Sequence, residues 1–148
     1  MFSINLIEEN RNMKRICNLC IAIVAMFVMV SCAVKNSFDK LNGEWNVVSV
    51  GEVLVPESVD AFIGFDVAEQ LVYGSTGCNH LTGALPTKMP SSTPLFSAIG
   101  STRMLCANMS IENAMLPALE SVVNFKVEGN NLYLLNADGD IVLTLMKR

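Results

Sequence analysis

The C-terminal part of the chain alternates apolar and polar side chains in three short segments, and this alternation limits the folds that the chain can adopt. Residues 124–128, 132–135 and 141–145 each place apolar side chains at every second position, as strands with one buried face do. Gly129-Asn130-Asn131 and Asp138-Gly139 separate these segments with residues typical of tight turns. Short strands joined in this way predict an antiparallel sheet or barrel.

The residues between 41 and 122 predict more strands and one helix. Segments with strand-like composition lie at 41–50, 61–66, 70–73, 78–85 and 95–99. Apolar residues recur at helical spacing at Ile111, Met115, Ala118, Leu119 and Val122.

The helix has two candidate N-caps and one complication. Asn108 or Ser110 is a suitable N-cap residue. Pro117 cannot donate a backbone hydrogen bond, so we expect the helix either to start late or to kink there. The predicted fold class is mainly β (α+β), a small antiparallel β-barrel-like domain with one helix packed on it.

The N-terminal region has the features of an export signal for a lipoprotein. Lys14-Arg15 precede the apolar run Ile16–Val30, which is shorter than the ~20 residues that a spanning helix needs. The run ends in Ser31-Cys32, which resembles the bacterial lipobox and predicts a lipid on Cys32. We expect a signal peptide at 1–31, with Met13 as an alternative start, then a lipidated tether at 32–40 and a domain at 41–148. The alternative is a plain secretory signal, or an uncleaved anchor, with Cys32 incidental.

The charge of the part that follows Cys32 argues against a nucleic-acid partner. This part has seven basic and twelve acidic residues, a net charge of -5, against -4 for the whole chain. An acidic domain repels phosphate backbones. The expected partners are the membrane, through the lipid, and an envelope protein or a small apolar ligand. Ala33 is not the aspartate associated with inner-membrane retention, which favours the outer membrane.

Two cysteines are left once the signal peptide is removed and Cys32 carries lipid. They are Cys78 and Cys106, and an even pair in an oxidising compartment favours a disulfide. A loop of this length would stabilise the fold by about 3–4 kcal/mol. The alternative is a pair of buried free thiols that pack as small apolar groups.

Motifs in family order along almost the whole mature chain resemble the META (HslJ-like) domain family. Leu41, Gly43 and Trp45 open the resemblance, and the hairpin around Asp138-Gly139 closes it. Between them lie the residues of a G-C-N-x-x-x-G and an S-T-x-M-x-C motif: Gly77, Cys78, Asn79, Gly83, Thr102, Met104 and Cys106. The resemblance implies a small β-barrel-like domain with one helix and an exported protein linked to stress tolerance, drug resistance or motility. It implies no catalytic residue set.

The same motifs allow three chemical interpretations. Cys78 and His80 would share one face of a strand and could form a nucleophile–base pair, but no orienting group or oxyanion site is visible. Soft ligands from Met104, Cys106, Met109 and His80 could hold Cu(I), although their spacing matches no recognised metal site. Asn79 is expected to satisfy local backbone groups rather than to bind a substrate.

The glycines Gly74, Gly77 and Gly83 bracket the Cys78 segment. They favour turn geometry or close backbone approach over a ligand-binding loop.

These observations favour a non-enzymatic lipoprotein of the cell envelope with a binding or structural role, linked to envelope stress. A carrier of a small apolar ligand or soft metal is the second hypothesis, and a thiol-dependent enzyme is the third. We expect neither a resident cofactor nor a metal.

Overall fold

The computed structural model describes residues 38–88 and 93–148. The predicted signal peptide (1–31), Cys32 and residues 33–37 of the predicted tether lie outside the described residues. Within those two ranges, no helix is long and apolar enough to cross a bilayer.

A short 3₁₀ turn at Phe38–Lys40 leads into a run of strands that one helix interrupts. The strands before the helix are β1 (Gly43–Val50), β2 (Val53–Leu54), β3 (Ala61–Asp66), β4 (Leu71–Thr76), β5 (His80–Ala84) and β6 (Ser97–Ser101). The helix and the last strands are α1 (Ser110–Ser121), β7 (Asn124–Glu128), β8 (Asn131–Leu135) and β9 (Ile141–Lys147).

The strands form one antiparallel sheet that curves into a half-barrel. Their order is β6-β5-β4-β3-β1-β9-β8-β7, and β2 pairs with β1 outside this order. Two meanders, β3 to β6 and β7 to β9, therefore meet at β1. The helix α1 contacts β1, β4, β6 and β9. The predicted fold class is confirmed: an antiparallel half-barrel with one helix packed on it.

The concave side of the sheet is filled by apolar side chains. Trp45, Phe65 and Phe125 are almost completely buried there, and α1 adds Met115 and Leu119 to the same cluster. Burying one such side chain contributes roughly 1.5–3 kcal/mol. The interior of the half-barrel is therefore a packed core.

A β-bulge interrupts the alternation of inward and outward side chains along β1. Val47 pairs with Leu145 and Ser49 with Thr144, so Val48 is the extra residue. The bulge shifts the inward face by one position, which buries Val50 and leaves Val48 exposed.

The β4–β5 region also differs from the expectation. The strands predicted at 70–73 and 78–85 leave a turn at 74–77, and this turn is wrong, because β4 continues to Thr76 and β5 begins only at His80. Gly74 lies within the strand, where a Cβ would collide with the carbonyl oxygen of Phe62 on β3. Gly77 makes the turn, with φ of 90°. Close backbone approach at Gly74 and turn geometry at Gly77 thus explain why these positions are glycine, as the sequence indicated.

The helix begins at Ser110, which excludes a late start, one of the two alternatives that Pro117 left open. Met109 is the N-cap and makes no side-chain capping bond. Asn108 instead accepts a hydrogen bond from the Ser110 N–H at 2.9 Å, and the helix runs through Pro117. Strand β6 lies two residues later than expected, at Ser97–Ser101 rather than 95–99.

The two ends of the sheet carry different parts of the chain. Gly43, at the start of β1, lies in one row with Phe65, Val72 and Gly83. Thr76 and His80 lie at the opposite end of β4 and β5. We call these the N-terminal end and the turn end of the sheet.

Replacing Gln70 with glycine is expected to stabilise the fold by up to about 1 kcal/mol. Gln70 is exposed and has φ of 56° in the β3–β4 turn, a conformation that costs a non-glycine residue roughly 1–2 kcal/mol. The greater freedom of glycine in the unfolded chain offsets part of that gain. Urea denaturation measures the change. The neighbouring Glu69→Gly is the control and should destabilise the protein slightly. If both glycine variants were more stable than the wild type, or if neither were, the backbone strain at Gln70 would be refuted.

Candidate functional site

The two family motifs converge at the turn end of the sheet. The G-C-N motif forms the β4–β5 turn, and the S-T-x-M-x-C motif forms the loop that follows β6. Asn79, Thr102 and Met104 meet there, together with Thr76 and Glu112, which the sequence analysis did not include among the site residues. We call these five residues the Asn79 cluster.

The Asn79 side chain fastens the loop to the turn. Asn79 is 1% exposed, and its Oδ1 accepts hydrogen bonds from the Met104 N–H and the Thr102 hydroxyl, both at 2.7 Å. Its Nδ2 donates to the Met104 carbonyl at 3.1 Å and to the Glu112 carboxylate at 2.8 Å. The amide thus uses both its oxygen and its nitrogen within the protein, and it pairs with Met104 as a neighbouring strand would.

The backbone around Asn79 is held equally firmly. The Thr76 N–H donates to the Asn79 carbonyl at 2.9 Å, and the Asn79 N–H donates to the Thr76 hydroxyl at 3.0 Å. The His80 N–H donates to the Thr102 hydroxyl at 3.1 Å. Asn79 therefore satisfies backbone groups, as expected. The expectation that these groups are local is wrong for its side chain, because its main partner, Met104, lies 25 residues away.

Glu112 is a buried carboxylate, with 6% of its surface exposed. Its Oε2 accepts from the Thr76 hydroxyl at 2.7 Å and from Asn79 Nδ2 at 2.8 Å. Its Oε1 accepts from Asn79 Nδ2 at 3.0 Å and from the Ser101 hydroxyl at 3.5 Å. Its place in the first turn of α1 adds the positive end of the helix dipole.

The predicted disulfide between Cys78 and Cys106 is confirmed. It closes across 28 residues with the two Cα atoms 6.1 Å apart, and it links the turn to the same loop that Asn79 holds. A bonded Cys78 cannot act as a nucleophile. Cys78 also precedes β5, whereas His80 begins it and is exposed, so the proposed nucleophile–base pair on one strand face is not formed.

The four candidate soft-metal ligands do not line one site either. Met104 and Met109 line one cavity, but neither His80 nor Cys106 lines it, and Cys106 is bonded to Cys78. In the parts of the chain that the structure describes, no three His, Cys, Asp or Glu side chains form a group that could hold a metal ion.

The cavity lies between the loop after β6 and α1, and its volume is about 410 Å³. Its polar lining comes from Ser101, Thr102, Arg103, Asn79 and Glu112. Its apolar lining comes from Met104, Leu105, Met109 and Leu116. Leu105 is 97% exposed and Met104 is 51% exposed. The Asn79 cluster and the disulfide therefore hold a largely exposed, apolar loop in one fixed place.

Comparison with known proteins identifies the sequence family and the fold. The family profile described as META domain matches residues 39–148. An NMR structure of a protein from Burkholderia xenovorans is similar, with a TM-score of 0.58 and 22% identity over 74% of this chain and 85% of that one. A crystal structure of a DUF4847 family protein from Bacteroides vulgatus has a TM-score of 0.50 and 14% identity, over 73% and 94% of the two chains. No curated protein matches significantly.

Proposed function

The chain belongs to the META domain family, and from this premise we propose that it is a non-enzymatic protein of the cell envelope with a structural or binding role. In this proposal a lipid on Cys32 anchors the domain, and the protein supports envelope integrity under stress. The family assignment rests on a match over residues 39–148. The anchor rests on the apolar run and the Ser31-Cys32 lipobox.

The use of the motif residues is the observation that carries the non-enzymatic part of the proposal. Cys78 and Cys106 are joined to each other. The amide of Asn79 is fully engaged by Met104, Thr102 and Glu112. Residues with these contacts stabilise a loop. They differ from a nucleophile or general base, which must have a free atom that faces substrate.

The packing of the half-barrel supports a structural or surface-binding role over transport of a ligand inside the barrel. Side chains such as Trp45, Phe65 and Leu143 fill its concave side. A carrier of the lipocalin type needs an open interior instead. The turn end, where the loop after β6 lies, offers one accessible surface for binding.

Replacing Cys32 with serine is expected to release the protein from the membrane. The serine hydroxyl cannot form the thioether to diacylglycerol, and the loss of several acyl chains removes the anchor. The measurement is fractionation of the native host, with the protein detected in membrane and soluble fractions and its mass determined. Cys20→Ser, within the predicted signal peptide, is the matched control and should leave the protein in the membrane fraction.

A strain that lacks the gene tests the envelope role separately. We expect it to be more sensitive to detergent and hydrophobic drugs, with resistance restored by the wild-type gene and by Cys20→Ser but not by Cys32→Ser. Unchanged sensitivity of the deletion strain would contradict the envelope role. An unacylated Cys32 still joined to Ser31 in material from the native host would contradict the anchor.

A further inference from the structure

We propose that the cavity beside Glu112 binds a small organic ammonium ion that carries an apolar body. This inference rests on the binding role proposed above and names the class of ligand. It combines three features of the cavity: a buried anion in its lining, apolar lining residues, and a volume suited to a small molecule.

The charge of the site favours a cation. Glu112 is buried and its recorded partners are neutral donors, namely Asn79, Thr76 and Ser101. In the described ranges, no Lys, Arg or His nitrogen forms a salt bridge with it. Burial of a carboxylate without a countercharge is costly, and neutral hydrogen bonds and a helix dipole offset only part of that cost. An ammonium ion would supply the missing charge.

The two oxygens of Glu112 are not equally engaged. Oε2 accepts two short hydrogen bonds, of 2.7 and 2.8 Å. Oε1 has Asn79 at 3.0 Å, while the Ser101 hydroxyl is at 3.5 Å, the limit for a hydrogen bond. A carboxylate oxygen can accept about two good hydrogen bonds, so Oε1 has acceptor capacity for one more donor. Both Glu112 and Ser101 line the cavity.

The walls of the cavity determine the rest of the ligand. Met104, Met109 and Leu116 provide an apolar surface, and methionine side chains adapt to the shape of a bound group. A volume of about 410 Å³ lies at the lower end of the range for ligand sites, which suits a compact ring or short alkyl group.

Arg103 also lines the cavity, but it does not cancel the charge of Glu112. Arg103 is exposed, whereas Glu112 is buried. An exposed charge is screened by water and salt far more strongly than a buried one. The electrostatic preference beside Glu112 is therefore set by the carboxylate.

Three probes of similar size and different charge test the proposal: benzylammonium, benzyl alcohol and benzoate. They are titrated into the full-length exported protein, purified in neutral detergent with ¹³C-methyl methionine. We expect benzylammonium to shift the methyl signals of Met104 and Met109 in a saturable way, with roughly tenfold higher affinity than benzyl alcohol. Benzoate should bind more weakly still. The Met146 methyl, on β9, is the internal control and should not shift.

Two variants establish where the probe binds without altering Glu112. Leu116→Trp should fill the cavity and abolish the benzylammonium-dependent shifts. Asn113→Trp places the same ring at an exposed position of α1 outside the cavity lining and should preserve them. Equal affinity for the ammonium and the alcohol, no saturable shift, or the same response in both variants would overturn the proposal. Such a result would leave the Cys32→Ser fractionation and the drug sensitivity of the deletion strain unchanged.

Discussion

Replacing Asn79 with alanine is expected to lower the free energy of unfolding by about 3–5 kcal/mol, a large part of the 5–15 kcal/mol typical of a domain. The substitution leaves the Met104 N–H and carbonyl without their Asn79 partners and removes the principal donor to the buried carboxylate of Glu112. The Glu112 carboxylate is buried, and a buried polar group left unsatisfied costs about 1–3 kcal/mol, or more when it is charged. The backbone groups of Met104 are only partly buried and add a smaller cost.

Urea denaturation of the oxidised protein measures this loss. Asn113→Ala is the matched control, because Asn113 is exposed on α1, and its effect should stay within about 0.5 kcal/mol. Asn79→Asp keeps the shape of the side chain but places a carboxylate oxygen against Glu112. It should be at least as destabilising as Asn79→Ala at neutral pH. A loss below about 1 kcal/mol for Asn79→Ala would contradict the structural role of the cluster.

Removing the disulfide is expected to cost about 3–4 kcal/mol, the value that the chain-entropy relation gives for a closed loop of this length. The variant is the double substitution Cys78→Ala with Cys106→Ala, compared with the wild type by urea denaturation. Dithiothreitol should destabilise the wild type by a similar amount. It should not affect the double variant, which serves as the control for other effects of the reductant.

Alkylation gives an independent check of the same bond. Iodoacetamide should label neither Cys78 nor Cys106 in the unreduced protein, even in urea, and both after reduction. Labelling of both cysteines in the unreduced protein would refute the disulfide. Because the bond and Asn79 hold the same loop, the loss in a variant that lacks both should differ from the sum of the separate losses.

The sequence predicted those features that local patterns encode. Alternation in 124–128 and 141–145 located β7 and β9, because a strand with one buried face repeats every second residue. The Cys78–Cys106 pair followed from simple counting of cysteines. The bulge at Val48 was not predictable, because it depends on how β1 pairs with β9.

The Asn79 cluster was only partly predictable, since it depends on contacts between distant parts of the chain. Asn79 and Glu112 are 33 residues apart, and no local spacing indicates that they meet. One signal was available: Glu112 lies three residues before Met115 and seven before Leu119, on the apolar stripe of α1. An acidic residue on such a stripe indicates a buried acceptor with polar partners elsewhere in the chain.

A short tether would hold the domain of a lipid-anchored molecule close to the bilayer. Five residues separate Cys32 from Phe38, so the six Cα–Cα steps between them span only about 20 Å even when fully extended. Molecules that bind such a domain would have to reach the membrane surface, and a partner fixed far from the membrane would lie out of range.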